Sequence, residues 1–280
     1  MRLSRRFWAS LAGVGLLVAA IAALFRPPLD PTWERLTRTR VVRVGYAWEP
    51  PYAYRDTAGH VTGESPEVAR VILTRLGFTS IEWIQTTFAS LIPDLQAGRF
   101  DLIAAGMFDT PERATQVAFS LPTACVGLAL LVKQGNPLGL HSLEDLARTP
   151  QARLAVLSGA MEGKMARDAG IPDQRLLGFP DPPLALDALR QGMVDALALT
   201  SPTIDTLARA TPDTERAHPF LASSKKNGCS AFAFRQEDSI FLNAFNREMD
   251  SFIGSSEHVQ LVRPFGFART DLPAPRGEHP

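Results

Sequence analysis

Two stretches of this chain are built on one frame, and that repetition limits its fold more than any other feature. LQAGRFDLIAAG at 95–106 aligns with LRQGMVDALALT at 189–200, an offset of 94 residues. Each copy reads as a helix end, a glycine, an apolar residue, an aspartate and a buried strand. Glycine suits the left-handed residue that closes a helix, and a continuous apolar run suits a strand covered on both faces. The offset is too long for a solenoid, so two similar α/β lobes are expected. The competing explanation is two unrelated helix–glycine–strand units. Strand and helix patterns alternate around both copies, which argues for parallel sheets with helices on both faces. Strands are expected over 41–47, 81–85, 100–106, 127–134, 154–157 and 230–234, with a hairpin over 54–63. Helices are expected from Ser65 to Gly77 and over 142–147, 161–169, 204–210, 240–253 and 258–262.

The stretch from Phe88 to Arg113 carries the first copy and leads to a polar corner. Leu91, Ile92 and Leu95 recur at helical spacing, and Gly98 falls where a helix would stop. Past the apolar run come Phe108 and then Thr110, Pro111, Glu112 and Arg113. Threonine is a good N-cap and proline a good first helical residue, which places Arg113 in a first turn. A cation there faces the positive end of the helix dipole. Beside free backbone N–H groups it makes an anion receptor, and guanidinium grips a carboxylate bidentately. A surface ion pair with a neighbouring acid accounts for it as well.

With 280 residues, 45% hydrophobic and 21% charged, the chain can build one large domain or two small ones. Residues 1–28 hold four arginines and no acid, which leaves 25 basic against 29 acidic residues and a net charge of −4 in the remainder. That gives no footing for nucleic acid as a partner. A basic start followed by an apolar run from Phe7 to Leu24 is the outline of an export signal, with Ala20, Ile21 and Ala22 offering a cleavage site. The run approaches the roughly 20 residues that span a bilayer, so an uncleaved N-terminal anchor is the alternative. Ser4, Arg5 and Arg6 weakly resemble a twin-arginine signal. Either way the bulk of the protein is expected in the periplasm, touching the membrane only through residues 1–28.

Ligands of open α/β sheets sit beyond the carboxyl ends of the strands. In the first lobe that rule collects Glu49 and Tyr52 after the first strand, Phe88 after the second, and Phe108 and Arg113 after the third. Aromatic faces attract a cation, and a guanidinium attracts a carboxylate. One anion, one cation and three rings therefore suit a zwitterion, although each ring taken alone is more simply a core residue. Catalytic patterns are thin. His60, His141, His218, His258 and His279 show no metal-ligand spacing, and there is no phosphate loop or nucleophile elbow. No second carboxylate or histidine is evident for the pocket, and neither metal nor cofactor is expected. Asp101 and Asp195 precede buried strands, where turn and capping roles are expected. Cys125 and Cys229 are the two cysteines, each placed just before a strand where the chain passes between lobes. If those linkers run antiparallel the sulfurs can meet, and export permits a disulfide. Two separate thiols packed as small apolar residues are the alternative.

Several motifs together resemble the family 3 extracellular solute-binding proteins of ABC transporters. They are VGYAWEPPY at 44–52, GESPE at 63–67, LIPDLQAGRFDLIAAGM at 91–107, TPER at 110–113 and AFS at 118–120. Within the family the chain is similar to the ectoine/hydroxyectoine-binding proteins, through PYAY at 51–54, VTGE at 61–64, SLIP at 90–93 and GNPLGLHS at 135–142. The resemblance implies a two-lobed periplasmic-binding-protein type II fold with two crossover strands at the hinge. Lobe 1 would be 29–124 and 230–270, lobe 2 would be 125–229, and 271–280 a frayed tail. It also implies that Arg113 grips the ligand carboxylate and that Tyr52, Phe88 and Phe108 enclose a cationic ring, with Glu49 as hydrogen-bond partner. Amino-acid binders of the family carry aspartate at the position of Thr200, so Thr200 disfavours a ligand with a primary ammonium. The backbone at Met161, opening a helix of lobe 2, would meet the carboxylate from the other side. The expected function is delivery of ectoine, hydroxyectoine or a similar zwitterion to a permease. An amino-acid-binding protein is the alternative, followed by an enzyme like cyclohexadienyl dehydratase and by a tethered sensor.

Overall fold

The computed structural model describes residues 30–221 and 228–274. The segment 1–28 and the last residues of the tail lie outside them. Among the described residues no helix is long and apolar enough to cross a membrane. The first half runs α1 (Pro31–Thr39), β1 (Val41–Ala47), the hairpin β2 (Tyr54–Arg55) and β3 (Val61–Thr62), α2 (Glu64–Arg75), β4 (Ser80–Thr86), α3 (Leu91–Gln96), β5 (Leu102–Ile103), the single turn α4 (Pro111–Ala114) and β6 (Ala118–Val126). Then follow β7 (Leu128–Lys133), α5 (Leu143–Arg148), β8 (Leu154–Leu157), α6 (Met161–Asp168), β9 (Leu176–Phe179), α7 (Pro182–Arg190), β10 (Ala196–Thr200), α8 (Ser201–Ala210) and β11 (Thr214–Arg216). The chain returns through β12 (Gly228–Phe234) and ends in α9 (Ser239–Phe252) and α10 (Ser256–Val262).

Two five-stranded sheets result, ordered β4-β1-β5-β12-β6 and β9-β8-β10-β7-β11. The orders correspond strand for strand. In each sheet three parallel strands are followed by one reversed strand, β12 or β7, and then by an edge strand antiparallel to it, so the all-parallel expectation is corrected. The reason is topological: β12 and β7 enter from the opposite lobe and therefore run against their neighbours. Only Gly127 separates β6 in the first sheet from β7 in the second. The repeated frame occupies the same slot in both. Gly98 and Gly192 close their helices at φ 71° and 75°. Asp101 accepts the Arg43 backbone N–H at 2.9 Å, and Asp195 accepts that of Arg153 at 2.8 Å. Each aspartate thus ties the head of the third parallel strand to the first.

The sheets are covered on both faces, as alternate residues show. Leu130 and Val132 of β7 enter one cluster with Leu154 and Val156, while Ala129 and Leu131 enter another with Ala155 and Leu157. In the first lobe, Val42, Val44, Phe232 and Phe234 pack under α2 and α9, and Ile103 and Ala233 face Leu91 and Leu95. Asp30 caps α1 through the Trp33 N–H and also accepts the N–H groups of Ile240 and Phe241 at the open start of α9. Leu272 is buried in the same cluster, so the first lobe continues past residue 270 and the tail is not frayed from 271.

Cys125 and Cys229 lie inside β6 and β12 rather than ahead of strands. They are partners in the antiparallel ladder, with Cα atoms 4.0 Å apart and the two sulfurs bonded. The bond joins both crossovers and closes a loop containing the whole second sheet.

Candidate ligand-binding site

The carboxyl ends of the parallel strands of both sheets converge on one cleft. Glu49 and Tyr52 follow β1, Phe88 follows β4, and Phe108 and Arg113 follow β5. From the other lobe come Met161 and Glu162 after β8 and Thr200 at the end of β10. All eight line one narrow cavity, together with Gly106, Leu157, Ala160 and Leu199. The seven residues singled out from the sequence are thus brought together. Glu162 was not among them, and the expectation that the pocket holds no second carboxylate is corrected. An acid in the first turn of a helix normally complements the dipole, so nothing in the sequence marked Glu162 out.

Close approaches shape the walls. Gly106 sits at φ 63°, and a Cβ there would overlap the Tyr52 ring, which meets Phe267 edge-on with centroids 5.3 Å apart. Phe108 pairs with Ser230 across a β-bridge and packs against Gly228, where a Cβ would overlap its ring. The Asp109 N–H donates to the Cys229 carbonyl at 3.1 Å, so the disulfide strand holds this corner. Thr110 caps α4 by accepting the Arg113 N–H.

Arg113 is 9% exposed. Its Nη1 donates to the Phe108 carbonyl at 2.9 Å and its Nη2 to the Gly159 carbonyl of the second lobe at 3.0 Å. The guanidinium carbon stands 5.3 Å from the Phe88 ring centroid. A guanidinium has five N–H donors, and two go to these carbonyls. The others remain for a guest anion. Arg113 is buried rather than a surface cation, and that burial lowers its pKa, opposed by Glu162 and Glu112.

Two buried carboxyl groups share the cavity with Arg113. Glu49 accepts from Thr203 Oγ1 of the second lobe at 3.0 Å, and Thr203 in turn pairs with Thr200 Oγ1 at 3.2 Å. Burial, reinforced by Glu162, pushes Glu49 to a pKa of about 8, against the hydrogen bond from Thr203. Burial also raises Glu162, while its own backbone N–H and Arg113 hold it down. Met161 opens α6 with no side-chain cap at Ala160, and both residues line the cavity, so the helix start lies at its wall. Among the described residues no group of His, Cys, Asp or Glu is arranged to hold a metal. The site is therefore chemically bipolar. It brings a guanidinium, two carboxyl groups and three rings to one cavity.

Residues 42–267 match the sequence pattern of the bacterial extracellular solute-binding proteins, family 3. The chain belongs to that family. A probable amino-acid ABC transporter periplasmic-binding protein of Sinorhizobium fredii is 34% identical over 249 residues, 87% of this chain and 82% of that protein. Among solved structures, EhuB in complex with hydroxyectoine superposes with a TM-score of 0.78 at 36% identity, covering 84% of this chain and 92% of that one. A cyclohexadienyl dehydratase of Pseudomonas aeruginosa is 24% identical over 91% of this chain and 90% of its own length. The protein is a two-lobed, type II solute-binding component of an ABC transporter. Its relatives are mostly binding proteins, with this dehydratase among them. The family's setting is extracytoplasmic, and its members serve a permease.

Proposed function

We propose that the cleft binds ectoine, hydroxyectoine or a closely similar cyclic zwitterion, without chemical conversion, and delivers it to the permease. Residues 1–28 would direct the protein to the periplasm. The observation that carries the reading is Arg113, with spare donors, sharing one cavity with Glu49, Glu162 and the rings of Tyr52, Phe88 and Phe108. Arg113 and the open start of α6 at Met161 receive the ligand carboxylate. The rings and Glu49 surround the delocalised cation, and Thr200 leaves no aspartate for a primary ammonium. EhuB, whose structure holds hydroxyectoine, lends support by likeness. Closure follows from contacts that a ligand makes with both lobes at once.

Titration calorimetry with ectoine, hydroxyectoine and a panel of amino acids tests this. The expected result is tight binding of the ectoines and at least a 100-fold loss in Arg113→Ala, about 3 kcal/mol, since charge-assisted hydrogen bonds contribute roughly 1.5–3 kcal/mol each. Tighter binding of an amino acid, or Arg113→Ala at wild-type affinity, would overturn the assignment. Two buried carboxyl groups of raised pKa also favour a second reading, acid–base catalysis as in the dehydratase relative. Turnover of prephenate that vanishes in Glu49→Gln would establish it.

A further inference from the structure

The Tyr52 phenol is the one feature of the cleft that the zwitterion reading leaves unexplained. Tyr52 is fully buried, and its hydroxyl has no hydrogen-bond partner among the described residues. The ring lies close against Gly106 and edge-on to Phe267. Thr200 is the polar side chain that comes nearest to bonding the phenol, although it falls outside hydrogen-bond geometry, and Glu49, Glu64 and Glu162 act on it through charge. Thr200 is engaged with Thr203, Thr203 with Glu49, and Ser65 with Glu64 Oε2, while Glu64 Oε1 is, like the phenol, without a partner among the described residues. A buried donor left open costs free energy that a phenylalanine in the same place would not. A wall residue chosen only for its π face would not need the oxygen.

We propose that Tyr52 is a specificity-determining residue that selects a ligand bearing a hydroxyl on its ring. This rests on the zwitterion reading of the same cleft. The phenol O–H donates to the ligand's hydroxyl oxygen, and the ligand's hydroxyl hydrogen is donated in turn to a carboxyl oxygen of Glu49 or Glu162. Both ends of one small polar group are then satisfied inside a closed site. A pocket that hydrogen-bonds a ligand hydroxyl discriminates against the analogue lacking it, because its own polar group is then left unpaired. Rings alone would bind the two forms about equally.

The test is a ratio. Affinities of hydroxyectoine and ectoine, which differ by a single hydroxyl, are measured calorimetrically for wild type and Tyr52→Phe. The expected wild-type preference for hydroxyectoine is at least tenfold, falling to near unity in Tyr52→Phe. Equal wild-type affinities, or a ratio that Tyr52→Phe leaves unchanged, overturn the proposal. If neither ectoine binds, the compatible-solute reading has failed, and the ratio is measured instead on 4-hydroxyproline and proline. Thermal unfolding of the ligand-free protein supplies a readout that needs no ligand. An unpartnered hydroxyl predicts that Tyr52→Phe leaves the melting temperature unchanged or raises it. A clear drop would show the hydroxyl satisfied within the protein and would end the proposal.

Discussion

The first lobe is cored by phenylalanine and the second by aliphatic side chains. Phe78, Phe232, Phe234, Phe241, Phe245, Phe252 and Phe267 are buried in one, with Phe234 edge-on to Phe241 at 5.1 Å and to Phe245 at 5.3 Å. The buried members of the second lobe's clusters are alanine, valine, leucine and isoleucine. The same asymmetry appears in the cleft. Lobe 1 contributes three rings, a guanidinium and Glu49; lobe 2 contributes a helix start, Glu162 and small hydroxyls. A shared topology has thus been filled in two ways. One lobe holds a stiff set of side chains at fixed angles, and the other closes over them with backbone and short side chains.

The disulfide sits where the two lobes meet, and removing it is the largest perturbation expected. It closes a loop with a sequence separation of 104 residues that amounts to the second lobe. Chain-entropy estimates for a loop of that size are about 4–5 kcal/mol. In Cys125→Ser/Cys229→Ser the loss should fall on lobe 2, whose aliphatic core then melts first. Trp33, Trp48 and Trp83 all belong to lobe 1, so their fluorescence reports that lobe, whereas far-UV circular dichroism reports both. The two unfolding curves should separate in the double variant. Coincident curves with an unchanged midpoint would show that the lobes unfold as one body whatever the hinge.

The matched aspartates give a smaller and sharper comparison. Asp101 is fully buried and is met by Arg35 at 2.5 Å, Arg43 at 2.8 Å and Arg235 at 3.7 Å. Burial drives its pKa up, yet the Arg43 and Arg35 hydrogen bonds outweigh that and hold it below the ordinary carboxylate value. Asp195 is 28% exposed, with the Arg153 side chain 3.9 Å away. Removing one partner of a buried ion pair costs roughly 3–5 kcal/mol, and a surface pair about 0–1 kcal/mol. Because Arg35 and Arg43 reach solvent, Asp101→Ala should cost about 2–4 kcal/mol and Asp195→Ala about 1 kcal/mol in urea unfolding. Equal losses would mean that the backbone tie, common to both, is the whole of the effect.

The fold was legible because its repeated unit is local: a helix stop, an aspartate and a short apolar strand are written contiguously and read twice. Residues such as Glu49, Phe108 and Arg113 were findable because they sit at strand ends, where topology alone directs them to the cleft. Strand direction was not legible for β12 and β7, since apolar runs look alike in parallel and antiparallel sheets. Glu162 and Thr203 escaped for another reason. Each looks ordinary on its own helix and acquires meaning only when the opposite lobe is laid against it, as the Thr203 bond to Glu49 does. The unmet hydroxyl of Tyr52 is of the same kind, because a missing partner is visible only in three dimensions.

The two cleft carboxyls, one from each lobe, allow a last and smaller comparison. Glu49 has its pKa raised from 4.5 to about 8, first by burial and then by Glu162, while Arg113, Tyr52 and Thr203 complete its surroundings. A carboxyl whose folded pKa lies above its unfolded value binds its proton more tightly in the folded state. Its contribution to stability is full below about pH 4.5, declines as pH rises, and is gone above about pH 8. Opening of the lobes rehydrates the group, so the loss across that window should be about 1–2 kcal/mol rather than the full shift. Glu162 is also raised, but its own backbone N–H and Arg113 counteract burial, so it should contribute less. Urea midpoints of ligand-free wild type, Glu49→Gln and Glu162→Gln at pH 5, 6.5 and 8 read the difference. Glu49→Gln should flatten the decline more than Glu162→Gln does. The reverse order would place the more tightly held proton on the second lobe and make Glu162, not Glu49, the group that a cationic ligand must ionise on entering.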